Sequence, residues 1–252
     1  MKKIIYILLA VMMPVLSFAE DDIHALFQKG NALYAKANYK EALNDYQKII
    51  DNGYASAAVY FNMGNASYKD GDIPSALLYY EKAHKYAPGD EDINFNIRFV
   101  NQKTTDKIEE APELFLAKWW RACILNFSGH ALAVSSILIV FIASATLIVY
   151  FFAGGITLKK VSFFASIILF AVGGCVVFLA NRQAAYFDNH RQAIIFSSSV
   201  TIKSAPLDKA GNLFVLHDGT LVNVMATSNG WIKIRLANGN EGWMKKEDVK
   251  EI

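Results

Sequence analysis

The chain has 252 residues, enough for one large or two small domains, and a formal net charge of +2 with no basic stripe, which leaves no footprint for nucleic acid. Hydrophobic residues make up 54% and the mean hydropathy is +0.22, both high for a protein living wholly in water. The excess is concentrated in two blocks, so it indicates membrane spans rather than a large core.

Lys2 and Lys3 open the chain, Ile4 to Leu16 is apolar, and Ser17-Phe18-Ala19 places small residues before Glu20. This is the layout of a secretory signal peptide, residues 1–19, with cleavage expected after Ala19; an uncleaved anchor is the alternative. The apolar run is shorter than a membrane span requires. In either case the chain from Glu20 onward is exported.

The following segment repeats itself. Gly30 recurs as Gly64, Asn31 as Asn65, Tyr34 as Tyr68, Ala42 as Ala76, Tyr46 as Tyr80 and Lys48 as Lys82, always at an offset of 34 residues. Small residues at Gly30/Gly64 and Ala42/Ala76 suit two antiparallel helices in close approach, Tyr46 and Tyr80 fill the space between helices, and Pro88 ends a repeat because it cannot continue a helix. With Tyr60, Met63, Ala83 and Pro88, the copy at 57–90 resembles the tetratricopeptide repeat (TPR), and the copy at 23–56 resembles it with Tyr54 in place of the closing Pro. Solenoids need about three units, the last atypical. Ile93, Ile97 and Val100 at helical spacing are therefore read as a capping helix over 91–110. The array, 20–110, holds 15 acidic and 10 basic residues, a net charge of −5.

The TPR resemblance implies a peptide- or helix-binding concave face built mainly from the first helix of each repeat. By register it falls on Phe27, Asn31, Tyr34, Phe61, Asn65, Tyr68 and Lys69. Asn31 and Asn62 stand at places used by carboxylate-clamping members of the family, but Phe27 occupies the place of the expected Lys. The asparagines could equally cap or solvate their helices.

Residues 111–130 read as an interfacial linker, with Trp119, Trp120 and Arg121 as amphipathic anchors in a short surface helix. Ala131–Ala153 and Val161–Ala180 are uncharged runs long enough to span as helices. The turn between them, 154–160, carries Lys159 and Lys160, which places it on the cytoplasmic side. The absence of ionisable groups within either run argues against an ion path. Ser162 with Ser166, Ala171 with Cys175, and Gly173-Gly174 could pack the hairpin on itself or against another helix. Cys123 and Cys175 read as small apolar residues in or near lipid, with a disulfide as the alternative. Residues 181–193 are expected to be a linker.

From Ile194 the pattern shortens. Ile232, Ile234 and Leu236 alternate with Trp231, Lys233 and Arg235, Asn238-Gly239 reads as a hairpin turn, and Glu241 to Met244 as the returning strand. Val200 to Pro206, Asp218-Gly219-Thr220, Gly230-Trp231 and Gly242-Trp243, in this order, resemble a bacterial SH3-like (SH3b) domain over 194–252. Such barrels bind cell-wall peptides or protein segments, which makes Trp231 and Trp243 possible ligand contacts, although a Trp after Gly in this barrel is commonly packed into the fold.

His24, His84, His130, His190 and His217 are scattered without metal spacing, and neither GxxxxGK nor Gly-x-Ser-x-Gly occurs. No catalytic residue, metal or cofactor is expected, and the chain is read as a non-enzyme. The order of parts predicts a multidomain protein: an all-α TPR array, a two-helix transmembrane hairpin and a small all-β SH3-like barrel. That order resembles the BatE-type TPR proteins of Bacteroides aerotolerance operons. The resemblance implies an inner-membrane protein working with von Willebrand factor A-domain membrane proteins and a MoxR-type ATPase, in tolerance of oxygen or envelope stress. Two functions follow as expectations, each for a chain with both soluble domains in the periplasm: a membrane-anchored scaffold binding protein partners through the TPR groove, or an envelope sensor binding peptidoglycan through the barrel.

Overall fold

A computed structural model describes residues 20–109 and 111–252. The expected signal peptide lies outside the described residues.

Two helical hairpins open the chain: α1 (Glu20–Ala35) with α2 (Tyr39–Asp51), and α3 (Ala57–Asp70) with α4 (Ile73–Tyr86). Side chains satisfy the first free amides of the later helices. The Ser56 hydroxyl accepts from the Val59 amide at 3.3 Å, and the Asp72 carboxylate from the Ser75 amide at 3.0 Å. Within each hairpin the closest approach is a glycine against a tyrosine. A Cβ on Gly30 would lie 2.5 Å from the Tyr46 ring and one on Gly64 2.6 Å from the Tyr80 ring, so only glycine admits these buried rings.

A third helix, α5 (Glu91–Asn101), follows, capped by Asp90, which accepts from the Ile93 amide at 3.1 Å. It stops nine residues short of the capping helix expected to reach 110. The reason is local: the Lys107 ammonium folds back to donate to the carbonyls of Asn101, Gln102 and Thr104 at 3.2, 3.0 and 2.6 Å. That closes the helix C-terminus. Phe27, Phe61 and Phe95 share the offset of 34 residues, so α5 corresponds to the first helix of a third repeat. Among the described residues the second helix of that repeat is missing. Leu114 stands where Tyr46 and Tyr80 do in the earlier copies, and it lies 82% exposed in the linker, while Arg98 replaces the glycine that no ring needs.

The C-terminal strands are β1 (Gln192–Ile195), β2 (Ser199–Lys203), β3 (Asn212–His217), β4 (Leu221–Ser228), β5 (Trp231–Arg235), β6 (Glu241–Lys245) and β7 (Val249–Glu251). They form one antiparallel sheet in the order β3-β2-β6-β5-β4-β1-β7. Alternation in β2, β4, β5 and β6 sends Val200, Ile202, Val222, Val224, Ile232, Ile234 and Met244 into its core. An SH3-like barrel results.

The barrel covers the open end of the array. Ile194 of β1 is fully buried with Leu77 and Leu78 of α4 and Val100 of α5, flanked by Phe196, Leu221 and Ile252. The helical cap that a solenoid requires is thus replaced by a barrel rim. One carboxylate fastens the joint. Asp106 accepts from the His217 amide at 2.7 Å and the Thr220 hydroxyl at 2.7 Å, and its other oxygen meets His217 Nδ1 at 2.9 Å. The turn that brings these donors together passes through Gly219, at φ +79° and against Thr104, where a side chain has neither the dihedral nor the room. Lys85 donates to the Ile252 carbonyl at 3.0 Å, and the Ala111 amide to the Ala237 carbonyl at 2.9 Å.

Between array and barrel lie α6 (Phe115–Leu125), α7 (Gly129–Phe152) and α8 (Ile156–Asn189). The last two are long and apolar enough to cross a membrane, and their outer faces carry exposed side chains such as Phe141 and Phe152. They pack through Leu132, Ser136 and Ala143 of α7 and Ser162, Ser166 and Gly173 of α8, whereas Ala171 and Cys175 face outward. Both cysteines are free thiols. The turn is tighter than expected, because α8 already contains Lys159 and Lys160. The expected linker 181–193 is also corrected: α8 runs to Asn189, two residues before β1. No Gly or Pro interrupts this stretch, and Gln183, 3% exposed, donates to the carbonyls of Ile124 and Phe127 at 2.8 and 2.7 Å, which holds the end of α6 against α8.

Two carboxyls make the joint sensitive to pH in opposite directions. Glu81 shares the face of α4 that carries Leu77 and Lys85, and burial without a charged partner pushes it up to about 7. The folded state therefore holds its proton too tightly, and stability falls as pH rises from the ordinary carboxyl range towards 7. For Asp106, burial is outweighed by its His217 and Thr220 donors, which hold the carboxyl below its ordinary value. Its contribution is complete above the ordinary carboxylate range and is lost as pH falls through the lowered value. Thermal melts of the full chain between pH 3 and 8 should show Glu81→Gln gaining up to ~3 kcal/mol at the alkaline end and nothing near pH 4. Asp106→Ala should cost about 2 kcal/mol near neutrality and shrink towards the acid end.

Candidate functional site

The 34-residue repeat places equivalent side chains one above the other on α1 and α3. In the first copy the Tyr46 hydroxyl donates to Asn31 Oδ1 at 2.7 Å; in the second the Tyr80 hydroxyl donates to Asn65 Oδ1 at 2.7 Å. Asn62 Nδ2 also donates to Asn31 Oδ1, at 2.9 Å, joining the copies. Burial pushes Tyr46 up to about 12 and raises Tyr80 as well, so both hydroxyls remain donors at any working pH. Asn31 Oδ1 thus accepts two hydrogen bonds and Asn65 Oδ1 one, which fixes the orientation of both carboxamides. Phe27 leans on Tyr46 with ring centroids 6.0 Å apart, and Phe61 on Tyr80 at 5.7 Å.

Asn31, Tyr34, Tyr46, Asn62 and Asn65 line one cleft of about 270 Å³. Of the residues expected on the groove face, Asn31, Tyr34 and Asn65 meet there. Phe27 and Phe61 pack beside it, Tyr68 turns its edge to Phe99 of α5 at 5.7 Å, and Lys69 is exposed in the last turn of α3 outside the cleft. The sequence reading gives Tyr46 a packing role only and names Asn62 solely as a clamp position, yet both line the cleft. It also omitted Phe95 and Phe99, stacked at 6.1 Å and exposed on α5. The offset from Phe61 to Phe95 was the available signal. Behind the cleft, Asp45 is 2% exposed and paired with Lys48 and Lys29 at 2.7 and 2.9 Å; the Lys48 hydrogen bond foremost holds its carboxyl below the usual value.

On the barrel, Trp231 and Trp243 are half-buried on the outer side of the sheet rather than among the core residues. The register sets Trp243 between Lys203 of β2 and Lys233 of β5, and Trp231 opposite Lys245. Glu241 binds Lys233 at 2.6 Å and the Arg235 Nε at 2.6 Å, and these hydrogen bonds lower its carboxyl. The outer face is an aromatic and predominantly basic strip.

Removing the ordering hydroxyl tests the site's construction. Tyr80→Phe should cost about 1 kcal/mol in urea melts with helicity unchanged. Gly64→Ala, which drives a methyl into the same ring, should cost about 2 kcal/mol.

Residues 57–90 match the family described as Tetratricopeptide repeat, and residues 198–250 the family described as Bacterial SH3 domain. No curated protein matches the chain. Among solved structures, an NlpC/P60 family protein from Bacillus cereus ATCC 10987 overlaps 28% of this chain and 23% of its own length, at 17% identity and a TM-score of 0.22, a likeness too slight to carry any argument. The chain thus contains a tetratricopeptide repeat and a bacterial SH3 domain, both of non-catalytic type, separated by two helices long enough to cross a membrane.

Proposed function

We propose that this protein is a membrane-anchored scaffold whose TPR groove binds an extended peptide segment of a partner protein. The observation that carries the reading is the repeated Asn–Tyr pair. Asn31 and Asn65, their oxygens already used by Tyr46 and Tyr80, offer amide donors at one repeat's spacing. Backbone carbonyls of an extended chain are acceptors of the matching kind, and a site of pre-oriented donors loses little entropy on binding. Phe27, Phe61, Tyr34 and Tyr68 supply apolar contact beside them, and Lys69 lies at the edge.

The hairpin of α7 and α8 spans the bacterial inner membrane in this reading, with the turn in the cytoplasm and both soluble domains in the periplasm. The joint between array and barrel supports a common side, since the two ends of the hairpin must emerge together to make it. The resemblance to BatE-type proteins points to von Willebrand factor A-domain membrane proteins as partners, in a system with a MoxR-type ATPase and a role in oxygen or envelope stress. Two weak contacts held on one anchored chain gain avidity of about 10²–10⁴ over either alone.

A second reading rests on the barrel strip. Trp231 and Trp243 flanked by Lys203, Lys233 and Lys245 suit a ligand with planar or apolar groups and carboxylates, such as a peptidoglycan stem peptide. The chain would then be an envelope sensor.

Affinity purification of the full-length chain from its own membranes separates the two. Phe27, Asn31, Phe61 and Asn65 changed together to Ala should abolish recovery of membrane-protein partners while leaving the chain inserted. Equal recovery of cell-wall fragments in both samples, with no protein partner in either, would favour the sensor.

A further inference from the structure

The polar cleft of Asn31 and Asn65 adjoins an apolar hollow. Where α1 and α3 begin, Ile23, Phe27, Ile49, Tyr54 and Val59 line a space of about 650 Å³. Ile49 and Val59 are its buried floor, and Tyr54, 45% exposed, stands at its rim. Its polar members are His24 and Ser56, and the Ser56 hydroxyl accepts from the Val59 amide. Phe27 joins the two compartments: it lines the hollow and leans on Tyr46, whose ring lines the cleft. One extended segment with its backbone in the cleft can therefore place a large apolar side chain in the hollow.

The hollow lies on the edge of the array that meets the hairpin. Because each helical pair doubles back, α1, α3 and α5 all begin on that edge, as does the Pro88-Gly89 turn before α5. A Cβ on Gly89 would collide with the Asn126 carbonyl, so the turn touches the chain between α6 and α7 with only a glycine's clearance. Gln183 binds the same stretch to α8 through the Ile124 and Phe127 carbonyls. It stands three residues past Ala180, where the apolar run ends, about 5 Å along the helix. A headgroup layer is about 5–8 Å deep. The Gly89 turn thus stands at headgroup height, and the hollow is one repeat further along the same edge.

The edge is also acidic. Asp22 borders Ile23 and Tyr54, and Asp22, Glu91 and Asp92 are exposed with no Lys or Arg paired to them among the described residues. A chain leaving a bilayer carries Trp or Tyr together with Lys or Arg just outside its span. The first suits the hollow and the second the rim.

We propose that the segment held in the groove is the first stretch of a partner's chain outside its own membrane span, with an aromatic or long aliphatic side chain in the hollow and a Lys or Arg against Asp22. The proposal rests on the scaffold reading and on the membrane hairpin.

The test is photocrosslinking of the full-length chain in its own membranes, with a benzophenone side chain at position 58 on the wall of the hollow in one sample and at position 65 in the cleft in another. Adducts at 58, mapped by mass spectrometry, should fall within about ten residues of an apolar span of the partner, the reach of a short extended segment. Ala58→Trp fills the hollow from an exposed position and should lower the adduct yield at 65 ~10-fold with helicity unchanged, whereas Ala58→Ser should leave it intact. Asp22→Asn should lower the yield ~3-fold at low salt and have no effect at 1 M salt. Adducts at 58 that map further than about ten residues from any span, adducts at 65 with none at 58, or an undiminished yield at 65 in Ala58→Trp would overturn the proposal and leave the groove reading standing. Absence of adducts at both positions would overturn the groove reading and this proposal with it.

Discussion

The carboxylate of Asp106 is the point on which the arrangement of the soluble parts depends. It sits after the last array helix and takes three donors from the β3–β4 turn of a barrel more than a hundred residues away. Besides it, the barrel is held to the array by apolar contacts around Ile194, Phe196, Leu221 and Ile252, by Ile108 against the barrel core, and by hydrogen bonds from Lys85 and the Ala111 amide. Apolar burial supplies the attraction but little direction. The charge-assisted bonds set the angle. Lys107 makes this possible by ending α5 early, so that Asp106 leaves the helix where it can reach across.

A TPR array of two and a half repeats exposes one apolar end, and the usual remedy is an amphipathic helix. Here the remedy is a folded domain, which does more than cover Leu77 and Val100. It ties the end of the array to a strand, β1, that begins two residues after a 34-residue helix. The barrel, the joint and α4, the helix whose Tyr80 orients Asn65, therefore follow that helix without a long linker between them. In the scaffold reading this chain of contacts lets the groove and the membrane anchor move as one body. Glu81 lies on that route, buried, and losing its proton destabilises the joint as pH rises towards 7.

Much of this was legible in the sequence where the determinants are periodic. The offset of 34 residues exposed Gly30/Gly64 and Tyr46/Tyr80, and the structure turns those identities into glycine–ring contacts. Alternation around Ile232 and Ile234 marked the barrel, and uncharged length marked α7 and α8. What escaped is non-periodic. Nothing near Asp106 announces His217 or Thr220. The end of α5 depends on a lysine folding back on three carbonyls, which helical spacing at Ile93, Ile97 and Val100 does not register. Helix α8 outruns its apolar stretch, because Asn181 to Asn189 continues the helix in polar residues that carry no hydropathy signal. In the groove, Asn31 and Asn65 were found by register, but the direction in which their amides point depends on hydrogen bonds that only the three-dimensional structure reveals. Phe95 carried the period of the third repeat while the glycine and tyrosine positions had lost it, because the helix that needs them is absent.

The measurement that bears most directly on the scaffold account is site-specific photocrosslinking in intact membranes, with a benzophenone side chain introduced at position 65 in one sample and at 243 in another. The account expects adducts at 65 to a defined segment of another membrane protein, competed away by a peptide of that segment. Adducts confined to position 243 and carrying cell-wall fragments would contradict it.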